Sequence, residues 1–198
     1  MRWTLRRRLR AAVPAGVLAA AASLTGCTSA DHADPRVTGS AKAAFERAMV
    51  LNQRVVVPVR APGSRQSAAM LAAAMLAATR AGGERRLAAV FTGAALEHER
   101  AVLDGALGQQ RDASFRVLGG GARGFAYHRV DVVSDTRVVL IATFSEWSRI
   151  AQVRTTDGRM VAATPTSLVD VRATVDKGAD GVWKVSSYTW TFHPGSEP

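Results

Sequence analysis

From residue 166 the chain reads TSLVDVRATVDK, and its apolar positions recur every second residue. Val169, Val171, Ala173 and Val175 fall on one side, and Asp170, Arg172, Thr174 and Asp176 on the other. A period of two is that of a strand with one buried face. The same period begins near residue 112. SFRVL is a short strand, GFAYHRVDVVS and RVVLIATFSEW are longer ones joined by a tight Asp-Thr turn, and VWKVSSYTWTF is the last. TTDGRM and GADG supply two further turns. Upstream the period is helical. AKAAFERAMVL places Phe45, Ala48 and Met49 on one side behind a Ser40 cap. RVVVPVRAPG is extended, because Pro58 and Pro62 forbid a helix. Residues 64–81 carry a stripe of Met70, Leu71, Met75 and Leu76, ended by Gly82 and Gly83. A shorter helix over 84–91 follows. Thr92 then caps GAALEHERAVLDGAL, where Leu96, Leu103 and Leu107 keep helical spacing.

Helices first and an antiparallel meander afterwards predict an α+β fold rather than a doubly wound parallel sheet. The order of helices, VFTGAALEHE, a curved meander and a last strand opening DGVWKVSSYTW resembles the nuclear-transport-factor-2-like cone, in its small exported or membrane-anchored bacterial forms. The resemblance covers about residues 64–193. It implies N-terminal helices packed on a curved antiparallel sheet; a cystatin-like helix-on-sheet fold is the alternative.

The first 27 residues follow neither period. MRWTLRRRLR is cationic, and AAVPAGVLAAAAS is an apolar run of 13 residues. A bilayer core of roughly 30 Å needs about 20 residues, so the run reads as a secretory signal and not a span. LTGC, residues Leu24 to Cys27, resembles the lipobox of bacterial lipoproteins. The resemblance implies a diacylglyceryl group on the Cys27 thiol and cleavage between Gly26 and Cys27. Thr25 and Gly26 are small enough for a peptidase cleft, and a thiol is the strong nucleophile that a thioether needs. At about 0.8 kcal/mol per buried CH₂, two or more acyl chains hold a domain on a membrane. LRRRLR also partly resembles a twin-arginine export signal, which leaves two export routes open. The expected organisation is a signal peptide over 1–26, a lipidated cysteine with a flexible tether over 27–39, a helix and extended lead-in over 40–63, and the α+β domain over 64–198.

Composition changes this picture in two places. The 198-residue chain has a net charge of +10, but five arginines precede the cysteine. The remainder holds 21 basic and 16 acidic residues, a net +5, scattered singly without aromatic interleaving. Nucleic acid is therefore not an expected partner. The single cysteine excludes an internal disulfide and a cysteine zinc cluster, so the mature body relies on its core.

Candidate chemistry is sparse. GGGARG, Gly119–Gly124, satisfies G-x-G-x-x-G but leads into a strand, whereas a phosphate loop must open a helix. It reads as a flexible hairpin loop. Glu97, His98, Glu99 and Asp104 read as a solvated helix face. His32, His98, His128 and His193 are scattered, so neither a metal nor a cofactor is expected. Asp131 shares strand parity with Phe125, Tyr127 and Val133, which makes it the best single candidate for an acid inside a cone cavity, although a surface or structural carboxylate is the commoner reading of such a residue. No catalytic motif of the cone-fold enzymes is matched. VVLIATF is apolar on both faces, with Val139 and Ile141 opposite the core side, and Tyr188, Trp190 and Phe192 share a face of the last strand. Either a second copy or another envelope protein covers the second face, or the curved sheet closes over it. The resulting expectation is a lipid-anchored envelope lipoprotein on the extracytoplasmic side, a non-catalytic binding or assembly module. A small-molecule carrier or enzyme using the cone cavity is the alternative.

Overall fold

A computed structural model describes residues 34–52, 65–109, 115–153 and 160–196. The signal segment, Gly26, Cys27, the extended RVVVPVRAPG stretch and most of the TTDGRM turn lie outside the described residues, as do the side chains of the Met70–Leu76 stripe.

Helix α1 runs Pro35–Asn52. It starts before Ser40 because Asp34 and Pro35 form a stronger start signal. The Asp34 carboxylate accepts a hydrogen bond from the Arg36 N–H at 2.8 Å, and Pro35 loses no helical donor at the first position. Ser40 is an exposed interior residue, and Pro35–Gly39, expected in the tether, belong to the helix. Ala41, Ala44, Phe45, Ala48 and Met49 are its buried stripe, at the i, i+3, i+4, i+7, i+8 spacing of one helix face.

Helix α2 is continuous over Arg65–Val90 and passes through Gly82 and Gly83. Each glycine costs about 1 kcal/mol against alanine, which the burial of Leu87 later in the helix offsets. Helix α3, Gly93–Gln109, begins after Thr92 as expected. The junction is tight. Phe91 bridges Val185 in parallel, the Thr92 N–H donates to the Val185 carbonyl at 2.9 Å, and Gly93 turns at φ 52°. A Cβ at Gly93 would lie 3.3 Å from the Ser186 carbonyl oxygen, so glycine serves both conformation and close approach.

Five antiparallel strands form one sheet: β1 Phe115–Ser134, β2 Arg137–Val153, β3 Met160–Ala163, β4 Thr166–Lys177 and β5 Trp183–Phe192. The order is β1-β2-β4-β5, with β3 on the far end of β2. The fold class is the expected α+β, helices on a curved antiparallel sheet. In β4, residues 169, 171, 173 and 175 are all buried, as the alternation requires.

Strand β1 departs from simple alternation. It is unbroken where a strand and a glycine loop were expected, and Gly119–Gly124 lie within it. Gly120 and Gly121 are buried, and a Cβ at Gly121 would sit 2.8 Å from the Trp147 indole nitrogen. The glycines make room for a ring rather than flexibility. Register shifts between Arg123 and Ala126 and between Tyr127 and Arg129 each change which parity faces inward. Phe125 and Tyr127 pack on the core, and so do Val130 and Val132. A similar shift in β5 follows Val185, so Tyr188, Trp190 and Phe192 join the concave core face.

The helices cover that concave face. Phe45 is fully buried and meets Phe125, Tyr127 and Phe144 edge-on, with centroids 5.9, 6.3 and 6.2 Å away. On the convex face Ile141 pairs with Arg129 and Arg172. Val139 pairs with Asp131 and Thr174. The half-buried apolar pair is thus bordered by long charged and polar side chains, whose stems can cover it.

Phe45→Ala empties the centre of the aromatic cluster and is expected to cost about 3–5 kcal/mol. Urea denaturation checks this as a lower midpoint at an unchanged slope.

Candidate functional site

Among the described residues, the sheet face that the helices cover holds a mainly apolar recess at the C-terminal end of α1. Met49 and Asn52 come from α1, Phe144 and Glu146 from β2, Val169 and Val171 from β4, and Tyr188 and Trp190 from β5. Glu99 of α3 stands behind it, 2% exposed, and Glu146 is 3% exposed.

Glu99 was expected on a solvated helix face. Glu97, His98 and Asp104 are indeed exposed, but Glu99 lies in the buried stripe of Ala95, Leu103 and Ala106. Its oxygen Oε1 accepts the Asn52 Nδ2–H at 2.8 Å and the Tyr188 hydroxyl. Asn52 is the only asparagine in the chain. One carboxylate oxygen therefore ties α1, α3 and β5 together. The exposed His98 ring meets Tyr188 edge-on at 5.7 Å. The i, i+4 spacing of Ala95, Glu99 and Leu103 marked Glu99 as inward-facing. The parity of Val138, Leu140, Ala142 and Phe144 marked Glu146 in the same way.

The chain's second tyrosine repeats this design. Tyr127 donates its hydroxyl to Glu46 of α1 at 2.9 Å, and Lys42 Nζ lies 4.7 Å from its ring centre. Burial, reinforced by the neighbouring Glu46 carboxylate, pushes the Tyr127 phenol far above its usual range. Both tyrosines thus fasten a sheet strand to a helix.

Asp131 does not enter the recess. The bulge between Tyr127 and Arg129 reverses the parity, so Val130 and Val132 face the core. Asp131 is paired with Arg129, 2.8 Å away, at 40% side-chain exposure. Odd and even counting along β1 fails there because the strand is not regular.

The room in the recess for a water molecule's centre is about 20 Å³. That suits one or two waters, whereas ligand pockets run to about 300–1,000 Å³. Phe45 and Met49 are part of the buried core between α1 and the sheet. As arranged, the Glu99 carboxylate holds three elements together.

Two histidines that look scattered in the chain meet on the convex face. The Thr143 hydroxyl donates to Asp170 Oδ1 at 2.6 Å, and Thr143 Oγ1 lies 2.7 Å from His128 Nε2. His193 Nδ1 lies 2.9 Å from Asp170 Oδ2. The Thr143 hydroxyl, with His193, holds Asp170 below the usual carboxylate range. Arg137 does the same to Asp176, donating Nε–H to Oδ1 at 2.7 Å and Nη2–H to Oδ2 at 3.1 Å. Among the described residues no group of three or more His, Cys, Asp or Glu is placed to hold a metal ion.

No protein-family model matches the chain, and no curated protein matches it in sequence. Among solved structures it is similar to the intermembrane-space region of the chloroplast protein ARC6, at 16% identity and a TM-score of 0.43, over 67% of this chain and 100% of that one. It is also similar to a type 2 hexachlorocyclohexane dehydrochlorinase, LinA, at 17% identity and a TM-score of 0.29, over 57% of this chain and 76% of that one. A protein from Catenulispora acidiphila matches at 18% identity and a TM-score of 0.26, over 65% of this chain and 95% of that one. The helices packed on one face of a curved antiparallel sheet form the α+β layout expected from the sequence.

Tyr188→Phe removes a donor from the buried Glu99 carboxylate and is expected to cost about 1–3 kcal/mol of folding stability. Asn52→Ala should cost a similar amount. Because both donors share one oxygen, the double variant should depart from the sum of the single variants in a double-mutant cycle. The depressed Asp170 and Asp176 groups stabilise the fold above the unfolded carboxylate range, near pH 4. That contribution is lost as the pH falls through their folded values. Urea titrations between pH 5 and pH 2.5 should therefore show a stability drop that is shallower in the Asp170→Asn, Asp176→Asn double variant.

Proposed function

We propose that the chain is a lipid-anchored cell-envelope lipoprotein whose cone serves as a non-catalytic binding or assembly module on the extracytoplasmic side of the cytoplasmic membrane. The observation that carries the non-catalytic part is the filled cone. Helix α1 seats Phe45 and Met49 on the concave face and leaves space for water rather than for a small-molecule substrate. The anchor rests on the LTGC resemblance, with Cys27 as the lipidated residue and Gly26–Cys27 as the cleaved bond. Among the described residues no helix is long and apolar enough to cross a membrane, so the described part adds no helical span of its own. With the interior filled, partners meet the outer surface. A second copy or another envelope protein docks on the sheet face, where Leu168 is 41% exposed.

A second reading, a small-molecule carrier or enzyme, is favoured by one observation, the burial of Glu99 and Glu146 beside the recess. A purified fragment beginning at Thr28 separates the two. Turnover or binding of a small molecule that Glu146→Gln abolishes, with the fold intact, would replace the module reading with this one.

Cys27→Ser is expected to move the protein from detergent-extractable membranes to the soluble or secreted fraction. Fractionation followed by blotting checks this, and unchanged membrane retention would remove the anchor from the proposal.

A further inference from the structure

We infer that the folded body rides on the bilayer with the N-terminal end of α1 on the membrane side and the recess at the C-terminal end of α1 away from it. This rests on the lipid-anchor reading and on where the folded body begins. Pro35–Gly39 are helical, so the link between Cys27 and the body ends at Asp34, seven residues on. At about 3.3–3.6 Å per residue, that link reaches at most about 25 Å even when straight. A compact body spanning residues 34–196 is about 40 Å across, from the usual scaling of radius with chain length. The link is therefore shorter than the body is wide. The end holding Asp34 cannot be the end farthest from the lipid.

Helix α1 then sets which surface is presented outward. Its 18 residues extend about 27 Å at 1.5 Å per residue, most of the width of the body. The helix is fixed within the body by Phe45, which is fully buried, by the Tyr127–Glu46 bond and by the Asn52–Glu99 bond. It cannot swivel separately to let the body invert. The C-terminal end of α1, at Asn52, consequently lies on the side away from the bilayer, toward the space where a partner in the envelope is met. The end at Asp34 and Arg36, both exposed, faces lipid headgroups.

The test uses the full-length lipidated chain in vesicles that carry an energy-transfer acceptor lipid. Cys27 is the only cysteine and is consumed by the thioether, so one introduced thiol takes one label. Arg36→Cys marks the proximal end. Glu97→Cys marks the distal end, two residues from the carboxylate that binds Asn52. Transfer to the bilayer should be severalfold stronger from position 36 than from position 97. A long Gly-Ser insertion between Ser29 and Ala30 should bring the two close to equal. Equal transfer without the insertion, or stronger transfer from position 97, overturns the orientation while vesicle flotation still upholds the anchor. Failure of the parent chain to float with the vesicles overturns both.

Discussion

The structure depends on the contact between Phe45 and the concave wall of the sheet. Phe45 touches rings from β1 and β2, and its helix lies across a sheet that would otherwise expose an apolar floor. Two polar fastenings flank it, Tyr127 to Glu46 near the middle of α1 and Asn52 to Glu99 at its end. Apolar burial supplies most of the free energy, and the hydrogen bonds select one seating of the helix among many of similar area. The recess is what this seating leaves behind.

That arrangement also explains the small amount of chemistry on display. Inward-pointing carboxylates beside aromatic walls could act on a ligand where the interior leaves room for one. Here Glu99 is engaged by two donors from two other elements. Two acidic groups held below the usual carboxylate range by their neighbours, Asp170 and Asp176, are instead on the outer face of the sheet within networks that cross between strands. On the outside these groups lend definition to a sheet surface without enclosing a volume.

The elements that could be read directly were those in which one period holds throughout. β4 needed only its alternation, and the cap at Thr92 needed only its residue type. β1 was harder, because its bulges reverse the facing parity within a few residues and no local signal announces them. Asp131 was placed inward by counting across such a bulge. Glycine misled in two ways: Gly82 and Gly83 suggested a helix end where tertiary packing carries the helix through, and Gly119–Gly121 suggested a loop where Trp147 needs space. Glu99 and Glu146 could have been found, since each occupies a position of its element's apolar stripe. Asn52 could not, because its role depends on the seating of α1 against distant elements.

The span of the Glu99 contacts along the chain bears on how the protein is made. Tyr188 is 89 residues from Glu99 and belongs to the last strand. A chain that emerges N-terminus first therefore has the Glu99 carboxylate in place long before β5 supplies its Tyr188 donor. Until then that carboxylate lacks one of its two donors, and pairings of long sequence separation are slow to form. The fastening of Glu99 is thus completed only from the C-terminal end, by the last strand of the folded sequence.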